Sequence, residues 1–143
     1  MGNRAILLRR MASMQAVYYR DRTGAEPVRD LMRSLDGAGR EAVAWGVELL
    51  NAMGVADPPL PFPYSSQVAG ELRELRCHAG RRHIRDLYRR SERLFVLLHA
   101  FEKRSARVPE AEVVIAEARW EDFRARMNEQ PRRRPRAAGA DAP

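Results

Sequence analysis

Several scarcities bound this chain of 143 residues before any pattern in it is read. Cysteine occurs once, as Cys77, so no internal disulfide can form and a reducing compartment is the natural setting. At the end of an apolar strand pattern, Cys77 reads as a small core filler rather than a nucleophile. Long hydrophobic runs are missing. The longest near the start, Ala5–Leu8, is far too short for a signal peptide or a membrane span, so the expectation is a soluble, cytoplasmic protein without a membrane partner. Carboxylates and the three histidines are scattered rather than grouped, and neither a metal site nor any other cofactor is expected. Lysine is nearly absent: of 26 Lys and Arg residues only Lys103 is a lysine. No internal repeat is present.

What the chain does have is arginine, unevenly placed. Residues 73–107 hold ten Arg and Lys103 against Glu74, Asp86, Glu92 and Glu102, a local charge of +7. Residues 14–72 carry −3 and residues 108–128 carry −2. A basic strand region flanked by mildly acidic helices orients a protein on a polyanion, which points to nucleic acid. Hydrophobic residues make up 45% of the chain and charged ones 31%, a globular composition with room for one core.

Periodicity supplies the organisation. Residues 1–13 read as an N-terminal extension, in which Met11, or Met14 just beyond it, could be the start. Residues 14–128 form one domain. QAVYYR at 15–20 reads as a first strand, and Pro27 opens a helix whose Val28, Leu31, Met32 and Leu35 share a face. Asp36–Gly39 breaks that helix, and a second is expected from Arg40 to Met53, burying Val43, Val47 and Leu50. Four prolines between Asp57 and Pro63 exclude a helix interior. The pattern then alternates, giving strands at Leu72–Cys77, His83–Arg90 and Leu94–Glu102, and a last helix after Pro109 carries Val113, Ala116, Trp120, Phe123 and Met127 on one stripe. Residues 129–143, from Gln130 onward too polar and proline-rich to pack, read as a disordered basic tail. The expected fold is α+β in the order β-α-α-β-β-β-α, a small twisted antiparallel sheet with its helices on one face and the other face open.

Glu74-Leu75-Arg76, Arg85-x-Leu-Tyr88, Leu97-Leu98-His99-Ala100-Phe101-x-Lys103-Arg104-Ser105 and Pro109, in that order, resemble the signature of the RelE/HigB superfamily, in its phage-derived HigB-like branch. The resemblance spans about residues 16–127. It implies a RelE-like fold and the toxin of a type II toxin–antitoxin pair: an endoribonuclease (mRNA interferase) that cuts mRNA in the ribosomal A site, inhibits translation and is silenced by a cognate antitoxin protein. Metal-free cleavage of this kind needs the attacking 2′-hydroxyl oriented, a proton accepted and another supplied, and charge on the phosphorane stabilised. Arginine suits the last task because its guanidinium grips phosphate through two N–H groups at once.

On this resemblance Arg85 and Arg76 hold the scissile phosphate, and Lys103 with Arg104 supports proton transfer or charge neutralisation. Tyr88 is implied to stack on a base or donate its hydroxyl, and His99 to stand near the functional edge. Arg73, Arg81, Arg82, Arg89 and Arg107 are expected to contact RNA. His78 and His83 bracket a turn and could touch it, without an assigned step.

Asp86 replaces the family's usual aliphatic residue in the middle strand, on the same alternation as Ile84 and Tyr88, and a nearby arginine is its expected partner. Ile84 stands where tyrosine is usual, and Ala100 replaces a common glycine. Two other classes stay in play: a ParE-like gyrase-inhibiting toxin, which the same fold also hosts, and a non-catalytic RNA-binding or regulatory member of the fold, to which Asp86 points.

Overall fold

In the computed structural model, residues 13–104, 106–129 and 133–139 are described. Helix α1 (Pro27–Ser34) begins with proline in its first turn, where the missing N–H costs nothing, and buries Val28. Asp36 ends one helix and starts the next. Its carboxylate accepts the Gly39 N–H at 2.8 Å, so α2 (Gly37–Asn51) begins three residues before the expected Arg40. The stripe Val43, Val47 and Leu50 is buried against the sheet. Gly46 lets α2 sit close: a Cβ there would lie 3.0 Å from Leu75 Cδ2 and 3.1 Å from Cys77 Sγ. Cys77 is buried and free, as a core filler should be. Helix α3 (Glu110–Met127) follows Pro109 and buries Ala116, Trp120 and Phe123 on the expected stripe.

Six strands form one sheet in the order β2-β3-β4-β5-β1-β6. They are β1 (Gln15–Tyr18), β2 (Ser65–Ala69), β3 (Leu72–Ala79), β4 (Arg82–Ser91), β5 (Leu94–Lys103) and β6 (Arg136–Ala137). The sheet is mixed rather than antiparallel, because β1 runs parallel to β5, pairing Gln15 with Leu94 and Tyr18 with Leu97. Strand β2, absent from the sequence reading, pairs antiparallel with the start of β3. Strand β6 corrects the expectation of an unpacked tail. Arg136 and Ala137 pair with β1, Ala138 is buried, the Ala138 carbonyl accepts from Asn51 and Gln15, and Arg136 Nε lies 3.0 Å from the buried carboxylate of Glu26. Residues 1–12 of the expected extension, and 130–132 and 140–143 of the tail, lie outside the described residues.

The helices do not share a face. Helices α1 and α2 cover one side, over a core that includes Val28, Val47, Leu75, Ile84, Tyr88 and Leu97. Helix α3 crosses the other side, over Val17, Tyr19, Leu72, Leu87, Val96 and Leu98. The apolar residues on both faces require this: a sheet face lined with leucine and valine must be covered. Beyond the stretch that α3 crosses, the second face carries polar and charged residues, of which His78 and His83 are exposed. No helix among the described residues is long and apolar enough to cross a membrane.

Candidate functional site

The margin of the second face is a small grid fixed by strand register, running from Leu87 under α3 to the exposed His78 and His83. Across β3, β4 and β5 it reads Glu74, Leu87, His99 in one row; Arg76, Arg85, Phe101 in the next; and His78, His83, Lys103 in the last. Alternation puts these residues on one face, and the register shift after Leu87 keeps His99 and Lys103 aligned with it. The tight β3–β4 turn at Gly80, whose φ of +62° suits glycine, sets the register that places Arg76 opposite Arg85.

Charge in the grid is organised by Glu74, which is buried. Its Oε1 accepts from Arg76 Nη1 at 2.8 Å and from Ser66 Oγ at 2.9 Å, while Oε2 stands 3.7 Å from Arg85 Nε. Arg85 is only 2% exposed. Its Nε and Glu74 Oε2 are both buried without a hydrogen-bond partner, so the pair is an ion contact with unspent donor and acceptor capacity. Burial, and secondarily the neighbouring Arg76, lower the pKa of Arg85. Arg76 is more committed: Nε donates to the Pro63 carbonyl, and the guanidinium lies 4.8 Å from the centre of the Phe62 ring.

His78 and His83 close the grid. Their rings meet edge to face with centroids 4.7 Å apart, and both are exposed. Burial, then the charges of Arg85, His83 and Arg76, lower the pKa of His78 and keep its imidazole neutral at neutral pH. Lys103 sits half-buried across from His83.

The other expected site residues lie elsewhere. Tyr88 is 1% exposed in the core beneath α1 and α2, its hydroxyl 2.7 Å from Ser65 Oγ, so it cannot stack on a base. His99 belongs to the grid, but its Nδ1 takes a hydrogen bond from Arg119 and its Nε2 bonds Glu112, leaving neither ring nitrogen open. Arg73 faces the helical core side and donates to the Leu60 carbonyl. Arg82, on that side too, bridges Asp36 and Glu102. Arg89 pairs with Glu71 and Glu117 and lies 4.6 Å from the centre of the Trp120 ring, which makes it a clamp for α3. Arg81, in the β3–β4 turn, and Arg104 and Arg107, beyond β5, are exposed. The arginines thus divide between two faces, and Arg76, Arg82, Arg85 and Arg89 each pair with a carboxylate, of which Glu117 alone lies in a helix.

Asp86 also departs from expectation. It is fully buried on the α1–α2 side, and among the described residues neither carboxylate oxygen has a hydrogen-bond partner and no arginine pairs with it. Desolvation raises its pKa from 3.8 to about 7. The strand's alternation explains this, because Arg85 and Asp86 point through opposite faces. Glu74, which the sequence offers as a salt-bridge partner of Arg76, does pair with it, and His78 and His83, left without a step, have a spacing across a two-residue turn that predicts a cross-strand pair. Among the described residues no three His, Cys, Asp or Glu side chains gather as a metal-binding group.

A family model described as phage derived protein Gp49-like (DUF891) matches residues 30–121, more than half of the chain and all of the grid, and the chain belongs to that family. No curated protein matches it.

Proposed function

We propose that this member of the Gp49-like family is a RelE/HigB-type toxin of a type II toxin–antitoxin pair, an endoribonuclease that cleaves ribosome-bound mRNA without a metal. The observation that carries the reading is the cross-strand pair Arg76–Arg85, backed by buried Glu74, at the margin of the face that α3 crosses. Buried guanidinium held by a single carboxylate is pre-organised: it needs no rearrangement to meet charge developing on a phosphorane. Arg85, with Nε unspent, is the principal phosphate ligand in this scheme. Neutral His78 accepts the proton of the attacking 2′-hydroxyl, and Lys103 or His83 supplies one to the departing 5′-oxygen. The α+β layout, three helices on a mixed sheet, is compatible with a RelE-like fold. An antitoxin would silence the protein by laying an acidic or apolar segment over the grid.

A second reading draws on His99 and Tyr88. With both ring nitrogens of one engaged and the other in the core, two expected site residues are out of play, which favours an RNA-binding member that does not cut. A toeprint of a defined mRNA in a reconstituted bacterial translation reaction separates the two. New 5′ ends within translated codons, seen only with ribosomes and lost in Arg85→Ala, support the nuclease; intact message throughout refutes it.

A further inference from the structure

Past the edge of β3 the grid runs onto three aromatic side chains that the core does not use. Trp45, on α2, is 58% exposed, Phe62 is 69% exposed and Tyr64 41%. Trp45 and Tyr64 meet edge to face, ring centroids 5.8 Å apart. Arg76 ties this cluster to the grid: its backbone N–H donates to the Tyr64 carbonyl at 2.8 Å, its Nε to the Pro63 carbonyl at 3.1 Å, and its guanidinium lies over Phe62. A groove of about 590 Å³ lies between Trp45 and Tyr64 on one side and Cys77 and His78 on the other.

Contiguous aromatics left in water mark a binding surface, and the neighbouring charge says what binds. Flat rings beside a guanidinium are the combination with which proteins seat unstacked bases and neutralise the phosphates between them. Arg76 stands directly across from Arg85 and lies over Phe62, so it joins the aromatics to the arginine pair. Glu41, at the rim, repels phosphate but accepts base N–H groups, which suits the groove to the base and not the backbone.

We infer that Phe62, Tyr64 and Trp45 form a base-stacking platform for single-stranded RNA, seating the nucleotide next to the phosphate held at Arg85. This deepens the RNA reading above and rests on it for the choice of ligand. Trp45 supplies the probe, because the only other tryptophan, Trp120, lies on α3 and is buried against the sheet. The full chain is titrated with a short oligoadenylate and, separately, with inorganic polyphosphate. Oligoadenylate is expected to quench the tryptophan emission, in the Trp120→Phe chain as well. Phe62→Ala and Trp45→Ala, both at exposed positions, are expected to weaken oligoadenylate binding roughly tenfold each by anisotropy of a labelled oligomer, with polyphosphate binding unchanged. Equal quenching by polyphosphate, or undiminished oligoadenylate affinity in both variants, overturns the platform. So does a dimer that Trp45→Ala renders monomeric without loss of RNA affinity, since a second copy would then be the occupant. Ribosome-dependent cleavage that survives in such variants removes the platform and leaves the nuclease; an intact platform without cleavage does the reverse.

Discussion

Asp86→Asn should stabilise this protein, and by more as the pH rises. The carboxyl is fully buried beside Tyr18 and Cys77, the pKa of each of which it helps to raise, and it has no donor of its own. Its folded-state pKa, about 7, lies above the unfolded value of 3.8. Folding therefore takes up a proton between these values. The contribution of this group is most favourable below the unfolded pKa, is lost as pH climbs through the folded pKa, and is flat beyond it. A gap of about three pKa units at about 1.4 kcal/mol each gives a penalty of about 4 kcal/mol in the alkaline limit. At about pH 5 only the first part of it, roughly 1–2 kcal/mol, has accrued. Asparagine keeps the shape and cannot ionise, so its advantage over the wild type should widen by about 3 kcal/mol between about pH 5 and about pH 8. Urea unfolding of both chains at the two pH values measures this directly. A difference independent of pH, or a variant less stable than wild type at the higher pH, would show that the carboxylate is charged and partnered, and the reasoning would fail. The substitution faces away from the grid and should leave RNA binding unchanged.

Three further outcomes are expected. Glu74→Gln removes the carboxylate that pairs with buried Arg85 and should cost about 3–5 kcal/mol in urea unfolding, because an uncompensated buried cation remains; a loss below about 1 kcal/mol contradicts the network. Arg89→Ala should destabilise by about 1–2 kcal/mol through the lost contacts to Glu117 and Trp120 while oligoadenylate affinity holds, and a selective loss of RNA affinity would return Arg89 to the interface. If His78 is the proton acceptor, the cleavage rate should fall as pH drops through a pKa below the usual histidine value, and His78→Ala should abolish that limb of the profile; an unchanged limb assigns the step to another group.

Elements with a strong local period were legible. The stripe from Val113 to Met127, the helix face around Val43 and Val47, and the three arginine-bearing strands all occur where alternation or helical spacing placed them. Strand β2 was not, since SSQVA offers a single aliphatic residue larger than alanine and takes its partner from β3. Nor was β6, whose pairing depends on Glu26, Gln15 and Asn51, all remote in sequence. The parallel pairing of β1 with β5 likewise leaves no local trace. At the site, total charge misled: Arg73 and Arg82 differ from Arg76 and Arg85 by an odd number of residues along their strands, and that parity sends them to the opposite face. The same parity groups Tyr88 with Ile84 and Asp86, in the core. What sequence could not supply was α3 lying across the second face, which was expected to be open.

The central claim is that the cross-strand pair Arg76–Arg85 serves RNA, whereas Arg73, Arg82 and Arg89 serve the fold. The decisive measurement is ribosome-dependent cleavage of one mRNA, scored by toeprint, for Arg85→Ala, Arg73→Ala and Arg82→Ala chains matched for folded fraction. The account predicts that Arg85→Ala loses cleavage by roughly a hundredfold or more while Arg73→Ala and Arg82→Ala stay near wild type. Equal losses in all three, or none in Arg85→Ala, would contradict it.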